Sequence, residues 1–376
     1  MKVVDVESID WPMLSKLKSR TLNRHSWVRA SQFATLNPQT SNPQSAFRNP
    51  HATIHNPHSA IRNPQSAIPT VPDPEASILN PRSSIRVPQI VLVETPRDAF
   101  QGIRDFIPTA EKIAHITRLI DAGCRCIDFG SFVSPKAVPQ MQDSEAVLEA
   151  ISRHPSLTLI AIIANQRGLD RAIATGNVGA VGFPFSISDT FQIRNTHKSV
   201  EETWPIVEGL ARRSESQRIA FILYLSMAFG NPYGDSWSVR AVIDFVRRLD
   251  DLGVRVVSLA DTTAEANPAQ IGELAGRCRS EFPDLELGIH LHSDASGWPA
   301  KLTAALDCGI QRVDSAVAGM GGCPFARKEL VGNIPTEGVV ELLESRGIPT
   351  GIDRAKLLSC VASARHIMEL YGTASC

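Results

Sequence analysis

His290 and His292 are separated by one residue, in an apolar run that is typical of a β-strand. Because side chains two apart on a strand point to the same face, both imidazoles would lie together and could bind one metal ion. Asp98, beside another predicted strand, would add a carboxylate oxygen. Nitrogen and oxygen ligands with open positions favour a divalent cation, Mg2+ or Mn2+. The alternative is a pair of structural histidines hydrogen-bonded in the core.

Two further residues have side chains suited to chemistry. Arg97 precedes Asp98 and offers a planar fork of donors for an enolate or carboxylate oxygen beside the metal. Its alternative role is a salt bridge at the rim. Cys323 follows two glycines, in a loop where a thiol could act as a mobile general acid or base. A lone cysteine is otherwise usually a small apolar core residue, the interpretation we give to the other six.

The elements that would position these residues are eight short apolar runs, mostly separated by amphipathic helical patterns. The predicted strands span residues 89–94, 126–130, 157–164, 180–183, 218–226, 254–259, 287–292 and 312–316. The predicted helices span residues 110–122, 144–153, 200–213, 238–252, 268–282 and 299–308. This alternation predicts an α/β fold, a parallel (β/α)8 TIM barrel, with a doubly wound open sheet as the alternative.

The mouth of such a barrel collects the residues that lie at the carboxyl ends of its strands. Asp98, His290 and His292 all fall at such ends, and Thr262 follows the sixth predicted strand. Asp128 lies within the second. No predicted strand is followed by a dinucleotide-binding or Walker A loop, which disfavours a nucleotide-binding protein.

The first quarter of the chain differs in composition from the rest. Eleven of the 25 prolines lie in the first 88 residues, and a seven-residue Asn-Pro repeat runs through residues 37–68. A proline in every unit excludes a heptad helix, so we predict a disordered low-complexity segment over residues 1–87 and a catalytic barrel over residues 88–376. The alternatives are a peptide-docking arm, or translated repeat from a start codon placed too far upstream.

Charge and composition exclude several partners. There are 38 basic and 39 acidic residues, so no overall field favours nucleic acid. No apolar run reaches the roughly 18 residues of a membrane span. The seven cysteines are an odd number in a chain too long to need disulfides. We therefore expect a cytoplasmic protein that binds neither nucleic acid nor membrane.

The same residues resemble a known family. The segment SAVAGMGGCPF at residues 315–325 is similar to the cysteine loop of the 3-hydroxy-3-methylglutaryl-CoA (HMG-CoA) lyases. VETPRDAFQ at residues 93–101 is similar to their first-strand motif, and SFVSPKAVPQM at residues 131–141 to the segment after their second strand. The likeness covers the predicted barrel and none of the first 87 residues.

This resemblance implies a metal-dependent lyase that cleaves HMG-CoA to acetyl-CoA and acetoacetate, with an acyl-CoA as its small-molecule partner. It implies metal ligation by Asp98, His290, His292 and Asn333, and substrate binding by Arg97, Gln101 and Thr262. The implied catalytic residues are Arg97, Asp98, Asp128, His290 and Cys323. Asp128 stands where the family has a glutamate and is one methylene shorter. The resemblance also leaves a homo-oligomer open.

Two other functions compete with this one. The first is another reaction of the same superfamily, either an acetyl-CoA-dependent Claisen synthase or a 4-hydroxy-2-oxo acid aldolase. The second is an inactive barrel that serves as an interaction module through its N-terminal segment. The joint presence of Arg97, Asp98, His290, His292 and Cys323 disfavours the second.

Overall fold

Eight parallel strands alternate with helices along the chain in a computed structural model that describes residues 90–151, 155–322 and 331–372. The strands are Val91–Glu94 (β1), Cys126–Ser131 (β2), Thr158–Ile162 (β3), Ala180–Ser186 (β4), Ala220–Ser226 (β5), Val256–Asp261 (β6), Glu286–Ser293 (β7) and Arg312–Ser315 (β8). A ninth strand, Gly332–Asn333 (β9), pairs antiparallel with β7.

The sheet is closed. Strands β1 to β8 pair in chain order, and β1 also pairs with β8 along its whole length, from Val91↔Arg312 to Glu94↔Ser315. All of these pairings are parallel. The predicted TIM barrel is therefore confirmed, and the open doubly wound sheet is wrong. The expected N-terminal segment, residues 1–87, lies outside the described residues.

Helices surround the barrel. They are Pro96–Gln101 (α1), Thr109–Asp121 (α2), Ser144–Ala150 (α3), Gln166–Thr175 (α4), Asp189–Thr196 (α5), Val200–Ser216 (α6), Val239–Asp251 (α7), Pro268–Glu281 (α8), Trp298–Asp307 (α9), Thr336–Ser345 (α10) and Arg354–Tyr371 (α11). Short 3-10 turns span Pro139–Met141 and Val317–Gly319. Among the described residues, no helix is long and apolar enough to cross a membrane.

Helix α1 corrects one detail of the prediction. We expected Asp98 at the end of the first strand, but the strand ends at Glu94 and Asp98 lies in the first turn of a helix, α1. Pro96 begins this helix, because its fixed φ suits a first helical turn and its missing N–H would have no partner there. The turn carries Arg97 and Asp98 over the barrel mouth.

Apolar side chains fill both sides of the strands. Inside the barrel, Val93, Ile160 and Ile222 form one buried cluster with Tyr224. Gly182 leaves room for the tyrosine, since a Cβ at Gly182 would lie 2.7 Å from the ring. A second, larger cluster fills the layer between the strands and the helices. The two layers fix the strands, so the residues at their carboxyl ends keep a defined geometry.

Candidate active site

Three side chains form a candidate metal-binding cluster at the carboxyl ends of the strands. Candidate ligand atoms of Asp98, His290 and His292 all lie within 4.8 Å of one another. The two Nε2 atoms are 3.3 Å apart, and Oδ2 of Asp98 is 4.0 Å from Nε2 of His290. Both histidines are on β7, two residues apart, so both rings enter the barrel. The H-x-H spacing and the nearby aspartate therefore meet as predicted.

The protonation states of Asp98 and His292 fit a divalent cation. Burial raises the pKa of Asp98, but Arg97 and then the two histidines outweigh burial and hold that pKa well below its usual range. Burial, followed by the charge of His290, lowers the pKa of His292 to about 4. An ionised carboxylate and a neutral imidazole are the forms that bind metal. The residues present therefore suit a metal ion.

Asp314 on β8 orients one of these histidines, and the sequence patterns did not single it out. Its Oδ2 lies 3.2 Å from Nδ1 of His290, and both residues are buried. A carboxylate at Nδ1 fixes the proton there and leaves Nε2 as the ligand atom. Burial by itself lowers the pKa of His290, but the hydrogen bond to Asp314 and the charge of Asp98 raise it overall.

Asn333 reaches the cluster through β9. It pairs with His292 across the antiparallel β7–β9 contact. Its Nδ2 donates to Oδ2 of Asp98 at 2.8 Å and to the main-chain oxygen of Met320 at 2.9 Å. Gly321 makes this close approach feasible, because a Cβ there would lie 2.8 Å from Nδ2 of Asn333. Asn333 thus holds the Asp98 carboxylate, and its role as a metal ligand stays a prediction.

Arg97 lies between two carboxylates. Its Nε and Nη2 donate to Oδ2 of Asp128 at 2.9 and 2.5 Å, and its Nη1 donates to Oδ1 of Asp98 at 2.9 Å. Burial raises the pKa of Asp128 to about 6, even though Arg97 acts in the opposite direction. The second oxygen of Asp128, Oδ1, is buried and has no hydrogen-bond partner. A carboxylate of this pKa with a free oxygen can accept a proton near neutral pH.

The other expected residues are placed as follows. Gln101 accepts from Nη1 of Arg97 at 3.0 Å and donates to Oδ1 of Asp98 at 2.9 Å, so it supports both. Oγ1 of Thr262 accepts from the backbone N–H of Met227 at 2.9 Å. Their contact with substrate stays a prediction. Cys323 lies outside the described residues, which end at Gly322 and resume at Val331.

A buried ion pair beside the cluster escaped the sequence reasoning. Lys301 on α9 donates to Oδ2 of Asp261 at 2.8 Å, and both side chains are buried. Lysine is rarely buried, and its place in an amphipathic helix gave no signal of burial. Lys301 lines a cavity of about 470 Å³, together with the turns after β6 and β7 and Val331. Asp98 and His290 do not line this cavity, so it lies beside the cluster.

Comparison with known proteins agrees with this geometry. A family model described as HMGL-like matches residues 89–363. The chain belongs to the HMGL-like family. It is 34% identical over 288 residues to the mitochondrial hydroxymethylglutaryl-CoA lyase of Mus musculus, covering 75% of this chain and 87% of the relative. It is 33% identical over 263 residues to the cytoplasmic 3-hydroxy-3-methylglutaryl-CoA lyase of Rattus norvegicus, covering 70% of this chain and 76% of the relative.

A solved member of the family has the same fold. The HMG-CoA lyase from Acinetobacter baumannii, in complex with coenzyme A and 3-methylmalate, is similar to this chain with a TM-score of 0.69 and 32% identity. The similarity covers 76% of this chain and 92% of that one. The candidate metal-binding cluster and the Arg97–Asp128 pair thus lie in the mouth of an HMGL-like barrel.

Proposed function

We propose that this protein is a metal-dependent HMG-CoA lyase, which cleaves 3-hydroxy-3-methylglutaryl-CoA to acetyl-CoA and acetoacetate. The main support for the proposal is that Arg97 hydrogen-bonds to the cluster of Asp98, His290 and His292 in an HMGL-like barrel. Arg97 reaches the cluster directly, because it donates to the Asp98 carboxylate. A cation site and a fixed guanidinium can therefore act on neighbouring oxygens of one substrate.

The cation we propose is Mg2+ or Mn2+, held by Asp98, His290 and His292, with Asn333 beside them. When bound, such an ion acts as a Lewis acid that orients the substrate oxygens and makes the 3-hydroxyl more acidic. The carboxylate and the amide are hard oxygen donors, which these two ions accept together with imidazole. The protein contributes a preorganised set of ligands, in which both histidines are buried.

In the proposed reaction, Asp128 accepts the 3-hydroxyl proton and Arg97 stabilises the negative charge of the enolate. We assign acceptance of the 3-hydroxyl proton to Asp128, whose pKa of about 6 leaves it ionised at neutral pH. The electrons of that O–H bond form the ketone of acetoacetate, and those of the C2–C3 bond move to the acetyl-CoA enolate. Arg97 stabilises the enolate oxygen. Cys323, which precedes β9 in the sequence, is the acid that we assign to protonate C2, which yields acetyl-CoA.

We infer the substrate class and the cellular compartment from the relatives of this chain. An acyl-CoA is the proposed small-molecule partner, since the Acinetobacter baumannii lyase binds coenzyme A. The relatives' names place them in mitochondria or in the cytoplasm, and for this chain we propose the cytoplasm. Detection of the native protein in the soluble fraction of its own cells, without membrane or organelle markers, would check the assignment.

A coupled assay tests the activity. Purified protein with Mg2+ or Mn2+ is expected to release acetyl-CoA and acetoacetate in equal amounts from HMG-CoA, and a chelator is expected to stop the release. Absence of turnover with metal present would refute the proposal. In that case, cleavage of a 4-hydroxy-2-oxo acid would identify the aldolase alternative, and condensation of acetyl-CoA with a 2-oxo acid would identify the synthase.

A further inference from the structure

Lys301 contacts the main chain of a metal-cluster residue. Besides Asp261, its Nζ donates to the main-chain oxygens of His292 at 3.2 Å and Ala264 at 3.3 Å. An ammonium group has three N–H donors, and all three are used here. Lys301 is therefore not free to bind a substrate anion. Its contacts instead join the end of β6, the turn after β6 and the end of β7.

These contacts lie where the pairing of β7 with its neighbouring parallel strands ends. The β6–β7 pairing ends at Asp261↔Leu291, and the β7–β8 pairing ends at His290↔Asp314. His292 lies beyond both, and β9, which is two residues long, is its remaining strand partner. The ammonium of Lys301 bridges the last paired residue of β6 and the carbonyl of His292. Lys301 thus holds the backbone of β7 in place beyond the last pair of parallel strand residues.

Stability alone does not account for this ion pair. The side chains of Lys301 and Asp261 are only 9% and 2% exposed, so both charges have lost most of their hydration. Replacement of such a pair by apolar or neutral residues is often neutral or stabilising, because the desolvation cost offsets the attraction. What the pair supplies is a fixed position for the carbonyl of His292.

We propose that Lys301 is a positioning residue for the metal-binding cluster, which holds His292 in the orientation that accepts a divalent cation. This inference rests on the metal site of the proposed function. The imidazole of His292 faces that of His290 at 3.3 Å, so a small rotation of the β7 backbone separates the two ligand atoms. Loss of such an outer contact typically costs about 10–100-fold in metal affinity.

The test measures Mn2+ affinity in the folded protein and unfolding of the metal-free protein in parallel. The main variant is Lys301→Met with Asp261→Asn, which removes the pair without leaving a buried unpaired charge. A matched control is Lys112→Met with Asp143→Asn, because Lys112 on α2 is also a buried lysine and pairs at 2.8 Å with the half-buried Asp143, which precedes α3.

The Lys301 double variant is expected to bind Mn2+ at least about 10-fold more weakly, while the Lys112 control keeps wild-type affinity. Visible absorption of the Co2+-loaded Lys301 variant should also change, since that absorption reports ligand geometry. Wild-type affinity in the Lys301 variant, or equal weakening in both double variants, would overturn the inference. If wild-type protein binds no Mn2+, the metal site of the proposed function fails instead.

Discussion

Replacement of Arg97 by lysine keeps the positive charge and removes the guanidinium fork. Arg97 makes four side-chain hydrogen bonds from three nitrogens, two to Asp128, one to Asp98 and one to Gln101. A lysine has one nitrogen, so it cannot reproduce the contacts that three guanidinium nitrogens make to the carboxylate on β2 and the carboxylate on α1. At least one of these charge-assisted contacts is lost, and with it the donor for the enolate oxygen.

The expected loss is in the chemical step. Removal of one donor to a developing oxyanion lowers kcat by about 10²–10³, or about 2.7–4 kcal/mol of transition-state stabilisation. The coupled acetyl-CoA assay at saturating Mg2+ gives kcat and KM separately, and kcat should fall more than KM rises. Mn2+ affinity measured in parallel should change little, since the cluster keeps Asp98, His290 and His292.

A conservative exchange elsewhere provides the control. Arg171 pairs with Glu145 at 2.6 Å on the surface, where the two side chains are 31% and 46% exposed. Arg171→Lys should leave kcat unchanged, because exposed pairs contribute little. If Arg97→Lys retains wild-type kcat, the guanidinium does not hold the enolate oxygen and the reasoning from its geometry is wrong.

Three further outcomes follow from the structure. His290→Ala should lose metal binding and turnover together, whereas Cys323→Ala should keep the metal and slow turnover; retained Mn2+ binding in the first variant would contradict its ligand role. His115 is buried, and burial lowers its pKa from the ordinary 6.5 to about 4. Between pH 6.5 and 4 the unfolded state therefore binds more protons than the folded state. As the pH drops from 7 to 4, the free energy of unfolding should fall by about 3 kcal/mol more in wild type than in His115→Gln. Urea unfolding at each pH measures this difference. Deletion of residues 1–85 should leave lyase activity intact, and a folded but inactive truncation would show that the segment contributes to function.

The strands were predictable because each is a local apolar run bounded by polar or turn residues. All eight lie where the pattern placed them, with ends that differ by a few residues. Five helices, α1, α4, α5, α10 and α11, were not predicted. Among them, α1 is only six residues long and α4 contains Gly168. In α4 the side chain of Asn165 caps the first turn, which offsets part of the weak helix propensity of its glycine.

The candidate site divides in the same way. His290 and His292 share a face because strand periodicity is a local property, and Asp98 could be assigned because parallel strands end at one mouth. Asp314 and Lys301 could not be assigned. Asp314 contacts His290, which is 24 residues away in the sequence, and Lys301 contacts His292, which is 9 residues away. Nothing in the local sequence pattern marks either charged side chain as buried.

The sequence by itself determined the barrel, the residue types at its mouth and the family, because hydrophobic periodicity and short motifs are written along the chain. Tertiary structure alone decided that Arg97 bridges Asp98 and Asp128, that Asp314 fixes the proton of His290, and that Lys301 holds the end of β7. These are contacts between elements. Their geometry depends on how the closed sheet and α9 pack together, and their energies depend on the burial that this packing creates.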